Sequence, residues 1–150
     1  MSTRDRSGTI VILNGTSSSG KSTIAKELQR ASDTPTLHLS LDLFTQMVPD
    51  GFFVASDGVD PPTVDGVLWI MSDDGRRVSE MRVGPLGVRL KESMYRAARA
   101  MASTGFDVVV DDVTIDPRVF DVMARVLAGH AYLVGVRCSK DEALRRERHR

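Results

Sequence analysis

The chain has 150 residues, with twenty basic side chains balanced by twenty acidic ones, 41% hydrophobic content and one cysteine. That length suits one domain with a sizeable core, and the zero net charge provides no global field to attract nucleic acid or an anionic membrane. A lone Cys138 cannot close an intramolecular disulfide, no apolar run approaches membrane-spanning length, and Met1 to Gly8 lacks the apolar core of a signal peptide, so the expected compartment is the cytoplasm.

Thr9-Ile10-Val11-Ile12-Leu13 reads as a buried strand. The run Gly15-Thr16-Ser17-Ser18-Ser19-Gly20-Lys21-Ser22 follows and fits G-x-x-x-x-G-K-[ST] at every defined position. Behind it, Ile24, Ala25, Leu28 and Ala31 recur at helical spacing, so strand, glycine-rich loop and helix follow one another as a phosphate-binding loop requires. Gly15 and Gly20 permit backbone conformations that let main-chain N–H groups close around phosphate oxygens. Thr16, Ser17, Ser18, Ser19 and Thr23 complete the expected nucleotide-contacting segment. Lys21, expected to stand exposed at the loop, supplies a mobile charge for the β- and γ-phosphates, and the Ser22 hydroxyl can ligate Mg²⁺. The plain alternative is a Gly/Ser-rich turn with a solvated lysine.

Thr36 to Leu41 reads as a second strand, with Asp42 at its end. If that strand neighbours the first, Asp42 can face the γ-phosphate and take a proton from an attacking hydroxyl; otherwise it caps a helix starting at Leu43. Pro49 to Pro62 reads as a long loop. Within it, Phe52 and Phe53 can wall a substrate pocket or form a satellite core cluster. Residues 67–83 read as a β-hairpin turning at Ser72-Asp73-Asp74-Gly75 and closed by Gly84-Pro85.

Leu90, Met94, Ala97, Ala98 and Met101 mark a helix face ended by Gly105. Asp107 to Asp111 reads as a buried parallel strand. Its acidic end, Asp111-Asp112, has the pattern of a Mg²⁺-ordering strand, or of a capping or solvated pair. Asp116-Pro117 opens the next helix, Tyr132 to Val136 gives the next buried strand, and Ser139 to Arg150 begins a final helix. The basic run Arg145-Arg146-Glu147-Arg148-His149-Arg150 is either a solvated face or an arginine lid over the transferring phosphoryl group, and Arg137 ends its strand as a further candidate. His38, His130 and His149 lack metal-ligand spacing, and Cys138 reads as a small buried hydrophobe. Strands alternating with helices predict an α/β fold with a parallel sheet, and no linker divides the chain.

With these residues in view, the chain resembles the chloramphenicol phosphotransferase family of P-loop kinases. The resemblance rests on Ile12-Leu13-Asn14-Gly15 through Gly20-Lys21-Ser22, Asp42, Gly84-Pro85, Val110-Asp111-Asp112-Val113 and Val134-Gly135-Val136-Arg137-Cys138. It implies a three-layer P-loop NTPase fold of nucleoside/shikimate-kinase type with strand order 2-3-1-4-5, of which residues 1–150 carry the 2-3-1-4 part. The rest of the lid, a helix and the fifth strand lie beyond the position of Arg150 in family members. It also implies ATP and Mg²⁺ as cofactors and a small-molecule hydroxyl as acceptor, chloramphenicol being the founding one. Asp42 corresponds to the proposed base, and Arg137, Arg146 and Arg150 to phosphate-contacting arginines. Two alternatives are a zeta-toxin-like kinase of a nucleotide-sugar and a nucleotide-binding module without catalysis. The sequence does not indicate an oligomeric state.

Overall fold

The computed structural model describes residues 7–73, 75 and 78–148. Its centre is a four-stranded parallel sheet built from β1 (Ile10–Asn14), β2 (Thr36–Ser40), β6 (Asp107–Asp112) and β7 (Ala131–Gly135), in the order β2-β6-β1-β7. Counting only these core strands, the order is 2-3-1-4, as the resemblance implies.

Side chains alternate between the two faces of a strand, and each face meets its own helices. Toward α3 (Pro85–Ser103) and α4 (Pro117–Leu127), Ile10, Ile12, Leu39, Val108 and Val110 pack with Met94, Tyr95, Ala98, Val119 and Met123 in one buried cluster. Toward α1 (Lys21–Ala31), Leu13 and Val109 pack with Ala25. Asp116 caps α4 by accepting from the Arg118 N–H at 2.9 Å, with Pro117 in the first turn.

A second sheet, β3 (Phe53–Ser56), β4 (Val67–Met71) and β5 (Val78–Val83), contains the expected hairpin as its antiparallel β4–β5 pair. The segment read as a long loop contributes β3, which pairs in parallel with β4. The rings of Phe53 and Trp69 stack at 5.1 Å, and Phe52 lies 5.3 Å from Phe53. Pro85 opens α3 rather than merely closing the hairpin.

Strand β7 also departs from expectation. Tyr132, Leu133 and Val134 are 68%, 53% and 43% exposed, so the strand read as buried is open on both faces. It pairs only with β1 among the described residues, and Cys138 just beyond it is half-buried. The short helix α2 (Leu41–Thr45) leaves β2, and α5 (Lys140–Glu147) ends the described chain. Among the described residues no helix is long and apolar enough to cross a membrane.

Candidate active site at the phosphate loop

The loop between β1 and α1 lies at the carboxyl ends of the parallel strands, where open α/β sheets gather their ligands. Gly20 is the N-cap of α1, at φ 103°, with no side-chain cap hydrogen bond. The first-turn N–H groups and the positive end of the helix dipole therefore face the cleft. At Gly15 the backbone passes so close to the chain after β7 that a Cβ would lie 2.3 Å from the Val136 carbonyl oxygen. The Ser18 and Ser19 hydroxyls are buried with no hydrogen-bond partner among the described residues. Buried polar atoms normally have partners, so these two fit a ligand with acceptor oxygens, such as a polyphosphate.

Lys21 is only 6% exposed, contrary to the expected exposed lysine. Its ammonium folds back over its own loop, donates to the Thr16 carbonyl at 2.8 Å and lies 3.8 Å from Asp111. The Ser22 hydroxyl donates to Asp111 Oδ2 at 2.5 Å. A hydroxyl and a carboxylate at the helix N-terminus form the hard oxygen donor set that Mg²⁺ prefers, so Ser22 and Asp111 fit a metal bound beside a triphosphate.

Asp112 does not join them. Alternation along β6 sends its carboxylate to the opposite face, where it is fully buried against Lys91, Tyr95 and Thr114. The adjacent acids do different things, and the metal assignment for Asp112 is corrected on that ground. Burial pushes the Lys91 ammonium below its ordinary range against the opposing pull of Asp112, and it pushes the Tyr95 hydroxyl up, with Asp112 adding to that rise.

A cleft of about 510 Å³ is lined by residues 17–24, Ser40, Leu41, Asp42, Asp111, Val113 and Arg146. Asp42 stands in the first turn of α2, which Ser40 caps by accepting from the Leu43 N–H. The cap that the alternative reading gave to Asp42 is thus supplied two residues earlier. Strand β2 neighbours β6 rather than β1, contrary to the condition set for the base reading, yet Asp42 is exposed on the cleft wall.

Helix α5 brings Arg146 onto the loop, where one guanidinium nitrogen donates to the Ser18 carbonyl at 3.3 Å and Nε donates to Glu142 at 2.6 Å. Arg145 and Arg146 hold the Glu142 carboxyl down at about 2. Arg137, next to the Val136 carbonyl that approaches Gly15, is exposed and is not among the residues lining the cleft. Arg150 lies outside the described residues.

Sequence reasoning missed two neighbours of the site. His38 Nε2 is 3.8 Å from Asp111 Oδ2 and has no hydrogen-bond partner among the described residues; its spacing of two from Ser40 in β2 is the available signal. Lys91 shares the apolar helical spacing of Met94, Tyr95 and Ala98, an unusual place for a lysine.

Comparisons with known proteins bear on the family and the fold. Two Mycobacterium tuberculosis proteins, from strains CDC 1551 and H37Rv and provisionally named O-phosphotransferases, are each 31% identical over 145 residues. The alignments cover 95% of this chain, which spans 63% of the length of those curated relatives. Among solved structures, APE1195 superposes with a TM-score of 0.62 at 19% identity, over 97% of this chain and 69% of that one. A Janibacter sugar kinase gives 0.58 at 16% identity, over 95% and 68%. The Pnkp1/Rnl/Hen1 complex also gives 0.58 at 16%, over 94% of this chain and 39% of the matched one. At these identities the structures show a shared fold. A family model described as chloramphenicol phosphotransferase-like protein matches residues 8–150, and the chain belongs to that family.

Proposed function

We propose that the protein is an ATP-dependent phosphotransferase that moves the γ-phosphoryl group of MgATP to a hydroxyl of a small molecule, with a chloramphenicol-like acceptor as the first to test. The observation that carries this reading is one shared cleft, lined by Ser22 and Asp111, which are in contact, by the open first turn of α1 and by Asp42. Phosphoryl transfer is chiefly positioning and charge stabilisation, and these groups divide that work. The loop N–H groups hold the phosphates and Lys21 stands at the β- and γ-oxygens. Ser22 and Asp111 would hold Mg²⁺, which when bound neutralises charge on the β- and γ-phosphates. Asp42 orients the acceptor hydroxyl and takes its proton as the hydroxyl oxygen bonds to the γ-phosphorus. The bond from that phosphorus to the β–γ bridging oxygen breaks, releasing ADP. Arg146 offsets charge on the transferring group from the lid side.

Incubating the protein with ATP, Mg²⁺ and chloramphenicol or a panel of hydroxylated metabolites, followed by ³¹P NMR, tests this. A phosphate ester formed in step with ADP is the expected result, and ADP formation with no acceptor phosphorylated at any concentration refutes it. One observation favours a second reading, nucleotide binding without transfer: Arg146 is the sole arginine among the described residues that lines the cleft. Tight ATP binding with no ADP formed supports that alternative.

A further inference from the structure

Behind Asp111, on the far side of the sheet, lies a buried polar network that nucleotide chemistry does not use directly. The Lys91 ammonium donates to Asp112 Oδ1, to the Val113 carbonyl at 2.9 Å and to Thr114 Oγ1 at 3.2 Å. The Tyr95 hydroxyl donates to Asp112 Oδ2 at 2.6 Å, and the Thr114 hydroxyl donates to the same oxygen at 2.8 Å. Asn14, the residue before Gly15, closes the network from β1. Its side-chain carbonyl accepts from the Thr114 N–H at 2.8 Å, and its amide donates to the Thr114 carbonyl at 3.1 Å.

The network thus ties α3, the end of β6 and the strand entering the phosphate loop. A buried ion pair is weak evidence for stability, since apolar or neutral isosteres often replace it without loss. Its best-attested value is to specify one arrangement over others, and the arrangement specified here is local. Val113 lines the cleft and its carbonyl accepts from Lys91, while of the two adjacent carboxylates Asp111 is held on one face by Ser22 and Asp112 on the other by Lys91 and Tyr95.

We propose that the Lys91–Asp112 pair, with Tyr95, Thr114 and Asn14, is a positioning device that fixes the Asp111 carboxylate against Ser22 and ties it to α3, the helix that follows the β4–β5 hairpin. The consequence for Mg²⁺ rests on the phosphotransferase reading above; the consequence for the geometry of Asp111 does not. Partners that orient a metal-holding carboxylate typically change metal affinity or activity about 10- to 100-fold when altered.

The test compares wild type with Lys91→Met, Lys91→Met/Asp112→Asn and Tyr95→Phe. Thermal denaturation, ATP affinity by calorimetry in EDTA and in Mg²⁺, and the backbone amide signals of Ser22 and Asp111 without ligand are recorded. Lys91→Met should unfold well below wild type, because it strands a buried carboxylate. The double variant should recover most of that loss, yet the factor by which Mg²⁺ tightens ATP binding should fall about 10-fold or more and both amide signals should move. Tyr95→Phe should fold and show a smaller change in the same direction. A double variant with restored stability, wild-type Mg²⁺ enhancement and unmoved signals overturns the proposal as a merely structural pair. If the double variant does not fold, an unmoved Tyr95→Phe overturns it. A wild type whose ATP binding is indifferent to Mg²⁺ overturns the metal reading instead, and the ligand-free amide signals then decide the positioning claim alone.

Discussion

Replacing Gly15 by alanine is the sharpest available test of the loop. The added Cβ would sit 2.3 Å from the Val136 carbonyl oxygen and 2.9 Å from Ser19 Oγ. Ordinary contact begins near 3.4 Å, so backbone must separate from backbone by about 1 Å. Serine can rotate away, but the carbonyl cannot do so alone, because Val136 N–H donates to Asn14 at 2.7 Å and pins that segment to β1. Overpacking of this kind costs about 1–3 kcal/mol. For a chain of this size, that lowers the melting temperature by about 2–12 °C. The loop moves with the clash, and a misplacement of about 1 Å at a reacting centre can cost about 100-fold in rate.

Gly135→Ala is the matched control. It ends β7, one residue before Val136, and a Cβ there meets nothing within 4 Å, so stability should stay within about 0.5 kcal/mol. Thermal denaturation and ATP affinity, measured side by side on both variants, decide the matter. A Gly15→Ala protein with wild-type melting temperature and affinity refutes the close approach of the loop to Val136, and with it the cradle.

Three further outcomes follow from the site. Lys21→Ala should abolish phosphoryl transfer while the protein still unfolds cooperatively, because Lys21 belongs to neither apolar cluster; turnover near wild type in a folded variant removes the loop from the chemistry. Asp42→Asn should lower turnover by about 10²–10⁴ with ATP affinity retained, and a collapse of affinity instead would place Asp42 with Ser22 and Asp111, the groups proposed to hold Mg²⁺. The Glu142 carboxyl, held at about 2 against an ordinary 4.5, binds its proton more weakly folded than unfolded. Its pairing with Arg145 and Arg146 should therefore be complete above about pH 4.5 and vanish as pH falls toward 2, which a carbon-detected titration of Glu142 reads directly; a midpoint near 4.5 would show that α5 does not hold Arg146 this way.

The strand–loop–helix unit around Gly15 to Ser22 and the parallel sheet are legible because their signals are local. A glycine-rich loop between an apolar strand and an amphipathic helix has few alternative readings, and apolar runs after each helix place the parallel strands. What was missed depends on distant partners. Phe53 to Ser56 is a four-residue strand between Gly51 and Gly58, too short to declare itself until β4 supplies its ladder. Tyr132 to Val134 is as apolar as β6, and composition cannot report whether anything covers a strand. Lys21 looked exposed because the motif places it on a loop; its burial comes from folding back on Thr16, a contact with no sequence signature.

The two acids at the end of β6 show how far a period of two can carry such a reading. Val108, Val110 and Asp112 share one face, and Val109 and Asp111 share the other. Only one acid can therefore join Ser22 at the phosphate loop, and the phase is set by which valines meet α1. Val109 packs with Ala25 of α1, which sends Asp111 to the loop and Asp112 toward α3. A carboxylate directed into an apolar layer demands a partner, and a lysine at the spacing of Met94 and Tyr95 on α3 is the cation the sequence offers. Loop-facing and core-facing acids thus arise from adjacent residues of one strand, and the peptide between them joins the phosphate side of the sheet to the opposite layer.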